Sequence, residues 1–199
     1  MIHPRPKHDA ILRAARTVFV RAGYKGASME AIAEEAPVSK PTLYSHFGNK
    51  HELFVAVIQA QCTALVGSLN PEATRNLTPE EGLSIIARNF VETLYNPDSL
   101  ALYRLMVAEH THCPELSILM DQTVVQPMLD LLSTYLRSLD ASHELRIEDP
   151  ESSGQLFLGM LKGVQHFRCA MGLKNGLTPE EKEALIGATL GLFMKAHAR

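Results

Sequence analysis

The chain has 199 residues, 46% of them hydrophobic and 21% charged, with a net charge of −3; that leaves room for one large or two small domains with a sizeable core. No window approaches the ~18 uninterrupted apolar residues of a membrane span, and three scattered cysteines (Cys62, Cys113, Cys169) exclude a disulfide framework, so a cytoplasmic, reducing setting without a membrane partner is expected. Charge is uneven: up to Lys25 there are six Lys/Arg against the single acid Asp9, whereas beyond Lys50 acids outnumber bases, as in a protein that meets phosphate at one end.

Apolar spacing is helical throughout, with no internal repeat and no sustained strand alternation. Ile11, Leu12, Ala15, Val18 and Phe19 form one stripe of a helix over Ile11–Ala22, with Arg13, Arg16 and Arg21 elsewhere and Gly23 ending it. Ser28 is placed to cap a helix over Met29–Glu35. Between Ala36 and Lys50 the chain packs a sharp turn, a cap at Ser39, a very short helix with Pro41 in its first turn, and a second cap at Asn49. So short a helix cannot sustain itself, because nucleation costs more than two turns return. It must lie on a scaffold, with Leu43 and Phe47 inward. Its outward side chains, Lys40, Thr42, Tyr44, Ser45 and His46, are types that bond phosphates and base edges. The spacing therefore predicts a helix-turn-helix DNA reader.

The helix opened by Asn49 is expected to reach about Leu69, burying Leu53, Phe54, Val57, Ile58 and Leu65, before a loop bracketed by Asn70-Pro71 and Thr78-Pro79. Thr78 and Glu81 have capping-box spacing for a helix over Pro79–Tyr95. A helix follows Asn96-Pro97, another begins near Pro114, and Pro127 should kink or break it. Pro150–Met171 carries Leu156, Phe157, Met160, Leu161, Val164 and Phe167; Gly172–Gly176 forms a loop, and Thr178-Pro179-Glu180-Glu181 opens the last helix. The expected fold is all-α with about nine helices, divided into a reader over residues 8–55 and a larger helical domain over 56–199. No flexible linker separates them, so mechanical coupling is expected.

Beyond the reader, three features carry chemistry. Gly159 and Gly163 are four apart, as are Gly187 and Gly191, leaving strips where another helix can approach closely, from the same chain or from a second copy. Tyr103, Met106, Glu109, His110, Met120, Gln122, Gln126 and Met160 mix apolar bulk with isolated polar groups, as a small-molecule cavity or an ordinary core would. His110, His112 and Cys113 form one cluster and His166 and Cys169 another, which suit a metal- or redox-responsive regulator if they serve as ligands. No catalytic arrangement of Ser/His/Asp or Cys/His, glycine-rich phosphate loop or carboxylate pair is present, so neither an enzyme nor a bound cofactor is expected.

Ala14-Ala15, Phe19, Gly23-Tyr24, Ser28, Ile32-Ala33, Ala36, Val38-Ser39-Lys40, Thr42-Leu43-Tyr44, His46-Phe47, Lys50 and Leu53-Phe54 together resemble the DNA-binding domain of the TetR/AcrR regulators. Tyr103–Glu109 with Pro114-Glu115-Leu116 is similar to the AefR-like subgroup. The resemblance implies that Ser28, Ser39, Tyr44 and Lys50 hold phosphates of double-stranded DNA, while Lys40, Thr42, Ser45 and His46 face the groove or its rim. It further implies a homodimer built on the last two long helices, through Leu156, Gly159, Gly163, Phe167, Gly187 and Gly191, over a near-palindromic operator. A small lipophilic effector in the pocket residues above would release such a repressor. Pro37 and Pro41 stand where many members of the family have glycine; at Pro37 the turn should take another route, or the preceding helix should end a residue early, since proline does not adopt positive φ.

Overall fold

The computed structural model describes residues 6–67, 77–111, 113–142 and 144–199, with side chains left out at 6 and over 61–67. The expected Leu65 contact, the end of the fourth helix at Leu69, the Asn70-Pro71 loop and His112 lie outside the described residues. Among the described residues ten α-helices follow one another: α1 (Pro6–Gly26), α2 (Met29–Glu35), α3 (Lys40–His46), α4 (Lys50–Gly67), α5 (Pro79–Leu94), α6 (Pro97–Glu109), α7 (Glu115–Met120), α8 (Gln126–Ala141), α9 (Pro150–Ala170) and α10 (Pro179–His197). No strand occurs among the described residues. A single π-helical turn, Asp121–Val125, joins α7 to α8.

Local capping accounts for most of these boundaries. Ser28, Ser39, Thr78, Asp149 and Thr178 each accept a backbone N–H from the first turn of the helix that follows. Thr78–Glu81 and Thr178–Glu181 close complete capping boxes. Asn49 does the same for α4, accepting from the Glu52 N–H at 2.9 Å. At Pro127, where a kink or break is expected, the regular α-helix is interrupted: the chain passes through the π-helical turn, and the proline sits in the first turn of α8.

The chain divides into two compact units. One contains residues 1–62 with 101–120, and the other 63–100 with 121–199. In the first, α1 packs on α2 and α2 on α3. Ile11, Ala15, Phe19, Ile32, Leu43, Leu53 and Phe54 are fully buried, and Phe19 meets Phe54 edge to face at 4.9 Å. In the second, α8 lies on α9 and α10 on α5, around a core that includes Leu83, Phe90, Tyr95, Leu136, Phe157, Leu161 and Phe193. Arg88–Glu183 and Lys182–Glu92 ion pairs lace α5 to α10 at the surface.

Two backbone features depart from the sequence reading. Gly163 adopts φ 45°, ψ −167°, so α9 is kinked rather than straight. The kink frees carbonyls that an unbroken helix would use, and the buried Tyr95 hydroxyl fills the gap, donating toward the Lys162 carbonyl at 2.6 Å and the Leu161 carbonyl at 3.2 Å. The second departure is Pro37. Helix α2 ends where expected, but the turn does not take another route: Pro37 sits at φ 21°. The Ala36 N–H reaches the Ile32 carbonyl (2.9 Å) and the Val38 N–H the Ala33 carbonyl (3.1 Å), a Schellman-type closure whose pivot favours positive φ. Closure of the turn overrides the ring's own preference near −65°.

Candidate nucleic-acid interface

Helix α3 is seated by Leu43, which is fully buried, and by Phe47 at its C-cap, whose ring lies 4.9 Å from that of His8. With those two side chains fixed inward, Lys40, Tyr44, Ser45 and His46 all face solvent, Tyr44 with 45% of its surface exposed. Sequence reasoning assigned no role to His8. Its ring is 6.2 Å from that of His46, so the first described turn of α1 borders the same edge; its place in the basic arm was the available signal.

The hydroxyls on this face are positioned by local bonds. Ser39 Oγ accepts the Thr42 N–H (3.3 Å) and lies 2.8 Å from Thr42 Oγ1, while Ser45 Oγ donates to the Thr42 carbonyl at 2.8 Å. Ser28 Oγ accepts the Ala31 N–H at 3.1 Å. Each hydroxyl has further lone pairs, so these bonds fix direction without exhausting the capacity to bond a ligand. Lys40 Nζ pairs with Glu30 Oε1 at 3.1 Å. The Glu30 carboxyl is held below its ordinary range by a backbone hydrogen bond at the start of α2 and then by Lys40. An exposed pair of this kind is worth little, and a phosphate can displace Glu30 from Lys40.

Lys50 is placed differently from its neighbours. Its ammonium donates to the Tyr24 carbonyl (2.9 Å) and the Ala27 carbonyl (3.0 Å) and sits 4.6 Å above the Tyr24 ring. A cation in the first turn of a helix opposes the helix dipole; here two carbonyls at the C-terminal end of α1, together with a π face, offset that. Lys50 thus clamps the α1–α2 connection to α4, leaving one ammonium donor for another partner.

The second unit carries a different exposed surface. Leu156 (68% exposed), Val164, Phe167 (62%), Met171, Leu173 and Leu192 (62%) stand in solvent. Gly159, Gly163, Gly187 and Gly191 are exposed as well, and a Cβ built on any of them meets nothing within 4 Å. Among the described residues, the glycine strips therefore take no part in helix packing. Exposed large apolar side chains beside exposed glycines on two long helices leave room for another helix to approach.

The residues proposed to line an effector cavity are distributed over both units. Tyr103, Met106, Glu109, His110 and Met120 belong to the first; Gln122, Gln126 and Met160 belong to the second. Tyr103, Met106 and Met120 are half-buried, Glu109 is buried, His110 is exposed with Nδ1 3.0 Å from Ser117 Oγ, Gln122 and Gln126 are exposed, and Met160 packs on the second core. The histidine and cysteine clusters also sort differently from their sequence order. Cys113 Sγ lies 4.0 Å from the ring of His51, a residue outside both clusters. His166 and Cys169 are buried in the second unit, the His166 ring edge-on to Tyr95 at 6.0 Å. Burial, then the Lys162 charge, pulls the His166 pKa down to about 4, so the ring is neutral near neutral pH.

Residues 11–57 match the family model described as bacterial regulatory proteins of the tetR family, and residues 81–199 match that of the AefR-like transcriptional repressor C-terminal domain. The chain belongs to the TetR family. A TetR-family transcriptional regulator from Mesorhizobium loti shares its fold with a TM-score of 0.83 at 26% identity, covering 96% of each chain. The flavonoid-responsive regulator FrrA is 32% identical with a TM-score of 0.74, again over 96% of each chain. The HTH-type transcriptional activator FasR of Mycolicibacterium smegmatis is 47% identical over 72 residues, which are 36% of this chain and 32% of that relative, so the chain spans about a third of it. These TetR-family relatives are helix-turn-helix transcription regulators, not enzymes, and this chain is a DNA-binding regulator of the same family. No helix among its described residues is long and apolar enough to cross a membrane.

Proposed function

We propose that this TetR-family chain is a one-component repressor, which binds a near-palindromic operator as a homodimer and leaves it when a small lipophilic effector is bound. The observation that carries the reading is the outer face of α3, where Lys40, Thr42, Tyr44, Ser45 and His46 are held outward by two buried anchors. Tyr44, Ser39 and Ser28 take phosphates, which set register; Lys40, Thr42, Ser45 and His46 meet base edges or the groove rim. Lys50 contributes its remaining donor to a phosphate while it braces the reader. Leu156, Gly159, Gly163, Phe167, Gly187 and Gly191 meet their mates across a two-fold axis, which sets the two α3 helices about 34–36 Å apart.

Repression, rather than activation, is supported by the long match to a repressor-type C-terminal domain over 81–199. The relative named an activator shares only a short segment, so its direction of control does not carry over. A lipophilic effector is supported by the flavonoid-responsive relative, similar over nearly the whole chain. The test is fluorescence anisotropy with duplex DNA from upstream of the protein's own coding region, against a scrambled duplex, with and without a flavonoid. Upstream DNA should bind about 10³-fold or more tightly than scrambled DNA at physiological salt, and effector should weaken it. Equal affinity for both duplexes sinks the operator reading.

A further inference from the structure

His51, Cys113 and Glu115 come from three places: the first turn of α4, the α6–α7 connection and the start of α7, all within the first compact unit. One donor atom from each lies within 4.8 Å of the others. Glu115 Oε1 is 3.1 Å from His51 Nε2, and Cys113 Sγ is 4.0 Å from His51 Nδ1. Cys113 is buried and free. One turn earlier, Glu109 is only 8% exposed, and its Oε2 has no hydrogen-bond partner among the described residues. Its charge, with that of Glu115, acts on both the Cys113 thiol and the Tyr24 hydroxyl, so these groups share one neighbourhood. One carboxylate and a thiol thus flank the His51 imidazole, and a second carboxylate acts on that thiol. Lys50, next to His51 in sequence and over the Tyr24 ring, gives two of its donors to backbone carbonyls. A buried carboxylate oxygen without a partner is costly, and buried charges are ordinarily paired or coordinate metals.

The geometry points to a binding site for a borderline divalent cation of the zinc class, held by one ring nitrogen of His51, Cys113 Sγ and a Glu115 oxygen. A water supplies the fourth ligand, and the cation's charge offsets that of the nearby buried Glu109. A mixed nitrogen, sulfur and oxygen set suits zinc, whereas calcium and magnesium demand oxygen alone. Tetrahedral coordination at ordinary bond lengths puts donor atoms about 3.5 Å apart; the two short contacts run to opposite nitrogens of the His51 ring, so a donor set that now spans up to 4.8 Å has to draw together, by about 1 Å at its widest, as the metal binds. As the sulfur–metal bond forms, the thiol proton leaves to solvent, and the imidazole binds in its neutral form. The occupied site pins the first turn of α4, directly after the α3–α4 turn, to the α6–α7 connection. None of the three ligands belongs to the DNA-contacting set, so the site stands or falls apart from the operator reading.

The test uses the full-length protein, reduced and stripped with chelator, titrated with Co²⁺ and then Zn²⁺. One equivalent per chain should bind, with a near-ultraviolet thiolate-to-cobalt band that zinc abolishes. The band should vanish in Cys113→Ser, and affinity should fall at least about tenfold in His51→Gln and in Glu115→Gln. Glu115 is exposed, so its variant keeps the fold even if the buried serine perturbs it; circular dichroism melts check each variant. Metal-free variants should bind DNA as the metal-free parent does. Failure to bind an equivalent of either metal overturns the site. So does a cobalt band that persists in Cys113→Ser, because the sulfur would then come from another cysteine.

Discussion

The outer faces of α3 and of α9–α10 are both exposed, yet they solve opposite problems. Helix α3 has seven residues, and its free surface is polar; it keeps its shape only because Leu43 and Phe47 anchor it and Ser39 caps it. Helices α9 and α10, at 21 and 19 residues, are packed on a core of their own, and their exposed residues include Leu156, Val164, Phe167, Leu192 and four glycines. A polar face gains little from being covered except by a charged, hydrogen-bonding partner such as DNA. An apolar one loses free energy for as long as it stays wet. One surface is ready for a ligand that comes and goes, and the other for a permanent cover.

The largest expected effect comes from charging that apolar face. Leu156→Glu with Phe167→Glu puts carboxylates on exposed positions, so each chain should keep its helical content and thermal cooperativity. Light scattering should report a monomer, and operator affinity should drop about 10²–10⁴-fold as the two readers lose their linkage. Retention of a dimer by the doubly charged variant would show that the face is not the interface.

The inward side of α9 gives the next largest effect. His166 precedes Phe167 but is buried and neutral, with its pKa at about 4 against an ordinary 6.5. Between those values the unfolded chain takes up a proton that the folded chain refuses. Stability is therefore fully present above about pH 6.5 and is lost as the pH falls toward 4, by up to about 3 kcal/mol. Urea unfolding at pH 7 and pH 4.5 measures the loss, and His166→Gln should flatten it. A dependence unchanged in that variant would assign the acid sensitivity elsewhere.

On the polar face the effects are smaller and divide by role. Tyr44→Phe removes one hydroxyl and should weaken binding to every duplex by about 1 kcal/mol. Thr42→Ala should change which base is preferred at one position rather than the overall affinity. Competition titrations against single-base operator variants separate the two, and a Thr42→Ala profile parallel to the parent's would take Thr42 out of base reading.

What could be read in the sequence follows the same divide between local and distant. Ser28, Ser39, Thr78 and Thr178 announce helix starts because a cap and its N–H are three residues apart. Pro127 announces a break, though not that a π-helical turn would supply it. The role given to Leu156 and Phe167 beside the glycine strips comes from the family resemblance, not from helical spacing. Contacts between distant segments were not legible. Lys50 reaches carbonyls 23 and 26 residues away, and Cys113 finds His51 across 62. Nor does periodicity distinguish a straight glycine strip from one bent at Gly163, since the glycines are four apart in either case.

Gly163 and Pro37 make a last, sharper contrast, because both sit at positive φ and only one is suited to it. At Gly163 the absent Cβ makes the kink cheap. At Pro37 the Schellman-type closure drives the ring to φ 21°, far from about −65°, and strain of this kind costs about 1–3 kcal/mol. Pro37→Gly should relieve that strain while adding roughly 0.4–1 kcal/mol of unfolded-state entropy. The net expectation is a domain more stable by about 1 kcal/mol, seen as a higher urea midpoint with an unchanged slope. Pro37→Ala, still carrying a Cβ at positive φ, should gain less. A glycine variant less stable than the parent would mean that the rigidity of the ring outweighs its strain. The α2–α3 turn would then owe its shape to proline rather than hold it against its preference.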